Sequence, residues 1–201
     1  MTPQPSARER LLDAAEDLAA LQGMTSTPVD EILGRARVSP ATLYAHFGNK
    51  EGLVVEALKR RLARWDSTWQ ECVDEAVAPE EKLLAVFTAL ARHRTSLTPS
   101  RWCVFLGASA ETPAPGNDLA DTLASDTRLL VDRLEALSAA YLQGAPAKVL
   151  ADRITLVYTG VLGMILRGSD AEAAIADGRA TAALVIRALA GGDHAESASR
   201  P

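Results

Sequence analysis

The sequence predicts an all-α protein of about nine helices, with a three-helix head at the N-terminus and a larger helical domain behind it. Three observations point there. Helix-start signals at Thr27–Pro28 and Ser39–Pro40 recur within one short stretch, leaving room for about two turns each. The composition is rich in Ala and Leu and holds only three each of Trp, Tyr and Phe, which favours helix over sheet. Most of the remaining chain repeats apolar residues at spacings of three and four, the period of a helix buried on one side.

The first helix is expected over 6–22. Ser6 is a good N-cap and Glu9 completes a capping box, while Leu11, Ala14, Ala15 and Leu18 share a face and Gly23 provides the stop. Arg8 and Arg10 at its start are either phosphate contacts or solvated arginines. Thr27 is expected to cap the second helix, with Pro28 at its first position, and Ser39 and Pro40 repeat that start for the third. Ile32 and Ala36 lie four apart on one helix, Leu43 and Phe47 on the next, so two narrow apolar stripes can meet. That is the geometry of a helix-turn-helix.

The outward face of the later helix offers Ala41, Thr42, Tyr44, Ala45 and His46, with no acidic residue between Arg35 and Lys50. Such a surface approaches a phosphate backbone without repulsion and still reaches base edges in a major groove. Lys50 beside Asn49 adds a cation and free backbone N–H groups at a helix start.

At these residues the chain resembles the TetR (tetracycline-repressor-like) family of bacterial transcription regulators. Ile32, Ala36, Val38, Ser39, Thr42, Leu43, Tyr44, Phe47, Lys50 and Leu53 fall in that family's pattern, and the resemblance is specific over residues 8–55. One position departs: Arg37 stands in the turn where the family usually carries glycine. If the backbone there is left-handed, the side chain costs roughly 1–2 kcal/mol. Either the turn differs here, or Arg37 offsets the strain by touching phosphate.

Beyond the head, one long helix is expected over 49–77, with Val54, Leu58, Leu62, Trp65, Trp69, Cys72 and Ala76 as a seam that runs from the head into the second domain. Further helices follow over 80–96, 101–111 and 117–143, separated by Pro79, by Pro99, and by the Pro113, Pro115 and Gly116 loop. The last two, over 147–167 and 170–190, are apolar on more than one face. A symmetric four-helix contact between two copies would supply the missing partners. Gly160 and Gly163 either allow that close approach or relieve crowding within one chain.

Net charge is −5, yet residues 1–64 carry nine basic and eight acidic side chains, so the acidity belongs to the rest of the chain. Such a head binds DNA only if its cations face one way, and a modest salt slope is expected. Cys72 and Cys103 form neither a metal spacing nor a disulfide framework. No run of about 18 apolar residues is found, and Met1–Ser6 is not a signal peptide, so a cytoplasmic protein off the membrane is expected. No cofactor is expected, and no metal, since His46, His93 and His194 stand apart from other ligands.

The reading is therefore a helix-turn-helix DNA-binding domain at 1–50, a helical effector-binding and dimerisation domain at 51–192, and a disordered tail at 193–201. The DNA-facing set is Thr27, Arg37, Ser39, Pro40, Ala41, Thr42, Tyr44, His46 and Lys50. The resemblance implies a ligand cavity in the second domain, for which Trp69, Phe87, Trp102, Cys103, Phe105, Leu130 and Tyr158 are the candidate lining, with Arg94 and Arg101 near it as holders of an anionic group or as solvated arginines. Gly160, Gly163, Met164, Ala180 and Leu184 are the candidate dimer contacts. The expected function is a homodimeric, sequence-specific DNA-binding regulator, a repressor released from a palindromic operator by a small-molecule effector. The competing readings are a helical ligand-binding or adaptor module that does not read DNA, and an enzyme, for which no catalytic spacing is found.

Overall fold

The computed structural model describes residues 5–96 and 103–197. Its helices are α1 (Ala7–Gln22), α2 (Val29–Ala36), α3 (Pro40–Phe47), α4 (Lys50–Glu75), α5 (Pro79–Ser96), α6 (Val104–Glu111), α7 (Asn117–Tyr141), α8 (Ala145–Leu166) and α9 (Ala171–Ser197), with no strand among the described residues. The all-α class and the helix order expected from the sequence are thus observed.

Where the boundaries differ, proline and hydroxyl chemistry explains it. The α1 capping box forms as expected: Ser6 Oγ accepts from the Glu9 N–H, and the Glu9 carboxylate accepts from the Ser6 N–H. Thr27 does not cap α2. Its hydroxyl donates to the Gly23 carbonyl at 2.6 Å, closing the end of α1, so α2 starts at Val29 with Pro28 as its uncapped N-cap position. Pro79 opens α5 rather than merely ending α4, and Pro146 lies in the first turn of α8. Neither proline sacrifices a bond there, because the first-turn N–H groups have no intrahelical acceptor. Residues 193–197, read from sequence as tail, continue α9. Residues 101 and 102, including the pocket candidate Trp102, lie outside the described set.

The chain divides into two compact units, Met1–Arg64 with Leu97–Asp126, and Trp65–Ser96 with Thr127–Pro201. In the first, the core joins Leu11, Leu12 and Leu18 of α1 to Ile32 of α2, Leu43 of α3 and Leu53 and Leu58 of α4, and also takes in Val104, Phe105 and Ala108 of α6 and Leu119 of α7. Helix α1 explains the larger core. It is buried at Leu11, Leu12, Ala14, Ala15, Glu16, Leu18, Ala19 and Ala20, too much of its circumference for α2 and α3 alone to cover. Glu16 is buried on that surface, and its carboxylate accepts from Arg60 Nε at 2.6 Å and from Arg64. A buried carboxylate left unpaired costs several kcal/mol, so these arginines of α4 hold α1 in place.

In the second unit, α8 and α9 pack together and α5 packs on α9. Trp65 and Tyr158 stack with centroids 6.1 Å apart, His93 meets Trp65 edge-on, and Phe87 meets Tyr158. Arg133 lies over the Trp69 ring at 4.8 Å and pairs with Asp66 at 2.5 Å. No uninterrupted run of 18 apolar residues occurs in α8, yet by length and composition it is long and apolar enough to cross a membrane, with a mean hydropathy of 1.6 over its most apolar window. Small and branched apolar residues raise that mean past Asp152 and Arg153, and the buried stripe Leu150, Ile154, Val161 and Ile165 shows where the hydropathy is used.

The glycine that matters to this packing is Gly178 on α9. A Cβ there would stand 2.2 Å from Val161 Cγ2 and 3.2 Å from Phe87 Cε1. Valine is stiff at χ1 and cannot swing aside. Gly178→Ala is expected to lower unfolding stability by about 1–3 kcal/mol, the range for overpacking a core, read as a lower urea midpoint.

Candidate nucleic-acid interface

Helix α3 is eight residues long, too short to persist by propensity alone, so caps and packing must hold it. Ser39 Oγ accepts from the Thr42 N–H at 3.3 Å and lies 2.9 Å from the Thr42 hydroxyl, while Pro40 opens the first turn. At the other end Gly48 adopts φ 73° and its N–H donates to the Tyr44 carbonyl at 3.0 Å. Leu43, 1% exposed, is the only buried side chain of the helix, with Phe47 half-buried beside it. Everything else on α3 turns outward: Pro40, Ala41, Tyr44, Ala45 and His46 are exposed, Tyr44 to 58%, and Thr42 is half-buried.

The turn before α3 is built on Arg37, with φ 52° and ψ 53°, the only non-glycine residue at positive φ among those described. The Arg37 N–H donates to the Gly34 carbonyl and the Val38 N–H to the Leu33 carbonyl, the bond pair of a Schellman cap. The turn is therefore the left-handed one that glycine suits best, and its geometry is not altered to accommodate arginine. After α3, the turn into α4 depends on Gly52, whose Cβ would lie 2.1 Å from the Phe47 carbonyl oxygen. Its N–H donates to Asn49 Oδ1 at 2.8 Å. Sequence reasoning missed this position, whose one signal was a glycine in the first turn of a helix.

Other members of the expected DNA-facing set are placed differently. Thr27 is 1% exposed and spends its hydroxyl on Gly23, so it belongs to the turn and leaves the outward face. The Lys50 ammonium donates to the Thr25 carbonyl, half-buried against the loop between α1 and α2. Arg8 pairs with Glu56 at 2.7 Å and lies over the Phe47 ring, and Arg10 donates to the carbonyls of Ala36 and Pro5.

A second residue that the sequence did not single out for a role is Glu111, at the end of α6. Its carboxylate accepts from the N–H groups of Thr25 and Ser26, at 2.9 and 3.1 Å, and from the Thr25 hydroxyl. Gly23 leaves the space it occupies, since a Cβ there would overlap the Glu111 carboxylate. Burial by itself would raise the Glu111 carboxyl above the usual carboxylate range. The hydrogen bonds from Thr25 and Ser26 outweigh it and hold the group lower. Thus α6 is tied by one side chain to the loop that leads into the helix-turn-helix.

The candidate effector residues divide between the two units. Trp69, Phe87 and Tyr158 join the aromatic cluster of the second, which also contains the half-buried Leu130. Phe105 packs in the core of the first and Cys103 against it. Burial pushes the Cys103 thiol up to about 11, with the Asp126 carboxylate adding to the shift, and burial pushes the Asp126 carboxyl up to about 6. A cavity of about 540 Å³ opens between α5 and α9, walled by Phe87, Ala91, Ile175 and Ala176 with Arg94, Glu172 and Arg179 among its polar residues. Among the described candidates, Phe87 of the expected lining and Arg94, the expected anion holder, reach it. The candidate dimer residues Gly160, Met164, Ala180 and Leu184 are exposed, and Gly163 is half-buried.

Comparison with known proteins matches residues 11–57 to the family described as bacterial regulatory proteins, tetR family. The HTH-type transcriptional repressor KstR2 of Mycolicibacterium smegmatis is 36% identical over 84 residues, 42% of this chain and 41% of that protein. The fatty acid metabolism regulator protein of Bacillus subtilis is 28% identical over 79 residues, 39% of this chain and 41% of its own. These matches thus cover about two-fifths of the relatives' length. Among solved structures, a TetR-family transcriptional regulator from Streptomyces coelicolor superposes with a TM-score of 0.82 at 23% identity, covering 91% of this chain and 95% of that one. The reduced form of NemR from E. coli gives 0.74 at 19% identity, covering 88% and 94%. Likeness at that identity establishes the fold.

Because the folded state holds the Glu111 carboxyl below its unfolded value, its contribution to stability is present above the unfolded pKa and is lost as pH falls through the folded one. Glu111→Gln should cost about 1 kcal/mol near neutral pH, since a charge-assisted set of bonds is discounted by solvent screening. Melting temperatures of the two proteins, measured from neutral pH down to pH 3, are expected to converge at the acid end.

Proposed function

Since residues 11–57 carry the N-terminal domain of the TetR family of bacterial regulators, and the described chain has the fold of that family's solved members, we propose that this protein is a DNA-binding transcription regulator that reads a pseudo-palindromic operator as a homodimer. The observation that carries this is the construction of α3. One buried leucine and two caps fix the helix, leaving a surface of small and hydrogen-bonding side chains with no carboxylate on it. Tyr44 and His46 present hydrogen-bonding groups to base edges, Ala41 and Pro40 allow close approach, and Ser39 and Thr42 hold the N-terminal end of the reading helix. The regulators among the relatives, one named as a repressor, support a role in repression.

The homodimer is supported by apolar surface on the last two helices. Leu156 and Met164 of α8 and Leu184 of α9 are 73%, 50% and 62% exposed. A Cβ at Gly160 or Gly163 would meet nothing within 4 Å, so these glycines relieve no crowding inside the chain and leave room for another helix. Two heads about 34 Å apart would meet successive major grooves. An effector held in the second unit lowers operator affinity if it binds better to a dimer with another head separation. Helix α4, continuous from the first unit into the second, is the element along which we expect that change to pass.

Tyr44→Ala is expected to weaken binding to an operator selected from random duplexes by at least about tenfold, corresponding to roughly 1–3 kcal/mol for a base contact, with unfolding unchanged. A band shift equal to that of the wild type would count against the assignment. Leu184→Glu should convert the dimer to monomer at micromolar concentration, read by sedimentation velocity.

A further inference from the structure

The head carries nine basic side chains, and the structure commits eight of them internally. Arg8 and Lys59 both pair with Glu56, Arg35 with Asp17, Arg60 with Asp13 and Glu16, and Arg64 with Glu16. Arg10 donates to two backbone carbonyls and Lys50 to a third, and Arg61 also has an interaction partner. Arg37 remains. Among the described residues its exposed guanidinium makes no hydrogen bond or ion pair, and it stands two residues before the N-cap of α3 on the strained φ 52° turn.

We infer that Arg37 is the principal phosphate contact of the reading head, and that its side chain is the reason a non-glycine residue occupies this turn. The inference rests on the reading of α3 as a DNA-reading helix. In a helix-turn-helix, the turn that precedes the reading helix travels alongside the DNA backbone when that helix enters the major groove. A guanidinium offers five donors in a planar fork that matches a phosphate, with no internal partner to surrender first. Strain of this kind persists in native proteins chiefly where function requires it. Arg8, Arg35, Lys59, Arg60 and Arg64 are paired in place with Glu56, Asp17, Asp13 and Glu16. Arg10 and Lys50 keep their charge but direct it at backbone carbonyls of the head, so none of these seven is free to reach a phosphate without giving up a partner. A chain of net charge −5 thus directs one strong cation per head at the DNA.

The test is Arg37→Gly, with Arg37→Lys and Arg35→Ala beside it, measured by fluorescence anisotropy on an operator selected from random duplexes by the wild type and on a mixed-sequence 30-bp duplex, each across a salt series. Glycine adopts the turn freely, so the Arg37→Gly protein should melt no lower than the wild type. It should lose about tenfold in affinity, equally for both duplexes, because a phosphate contact carries no sequence information. The slope of log affinity against log salt should fall by about 2, one phosphate for each head of a dimer at about 0.9 per phosphate. Arg37→Lys should retain the slope, and Arg35→Ala should match the wild type. An Arg37→Gly protein with wild-type affinity and slope, beside a wild type that binds DNA, overturns this inference and leaves the reading of α3 intact. A wild type that binds neither duplex at low salt overturns both.

Discussion

The burial of Leu43 is the interaction on which the rest of the head depends. An eight-residue helix has no stability to spare, and α3 buries only this side chain, with Phe47 partly covered next to it. Any wider apolar stripe would have turned Tyr44 or His46 inward and removed the exposed hydrogen-bonding face. The caps compensate for the narrow anchor: Ser39 fixes the first turn, Gly48 the last, and Gly52 lets α4 pass beneath the Phe47 carbonyl. The exposed face is therefore a consequence of how little of the helix is spent on packing.

Holding that anchor requires a core larger than three helices. Helix α1 is buried around most of its circumference, and α6 and the start of α7 complete the cover that α2, α3 and α4 leave open. The same arrangement ties Glu111 of α6 to the Gly23–Ser26 loop and Glu16 of α1 to Arg60 and Arg64 of α4. These ionic contacts rigidify the head at a cost: each one removes a cation or an anion from the surface that meets solvent. The outcome is a head whose described cations serve its own structure, with Arg37 as the exception.

In the second unit two kinds of glycine do opposite work. Gly178 lies where α9 presses on Val161 and Phe87, and its missing side chain is what lets the helices close. Gly160 and Gly163 face open space within the chain. All three sit in helices of similar composition, yet only the first is explained by the chain alone. The exposed Leu156, Met164 and Leu184 share those two helices, and the described residues leave them uncovered.

Local rules sufficed for much of this. The capping box at Ser6, the start at Ser39–Pro40, the stop at Gly23 and the periodic seams are decided by a few neighbouring residues, and each was legible in the sequence along with the all-α class. What needed the tertiary structure were the places where a local signal has two equally good uses. Thr27 could cap α2 or close α1, and the position of the Gly23 carbonyl settled it. Lys50 could face a phosphate or a backbone carbonyl, and Glu111 gave no sign of its role because its partners lie 85 and 86 residues away. A charge count along the chain could not say which described arginine of the head is left unpaired, since ion pairing is a property of distances between helices that sequence spacing does not encode.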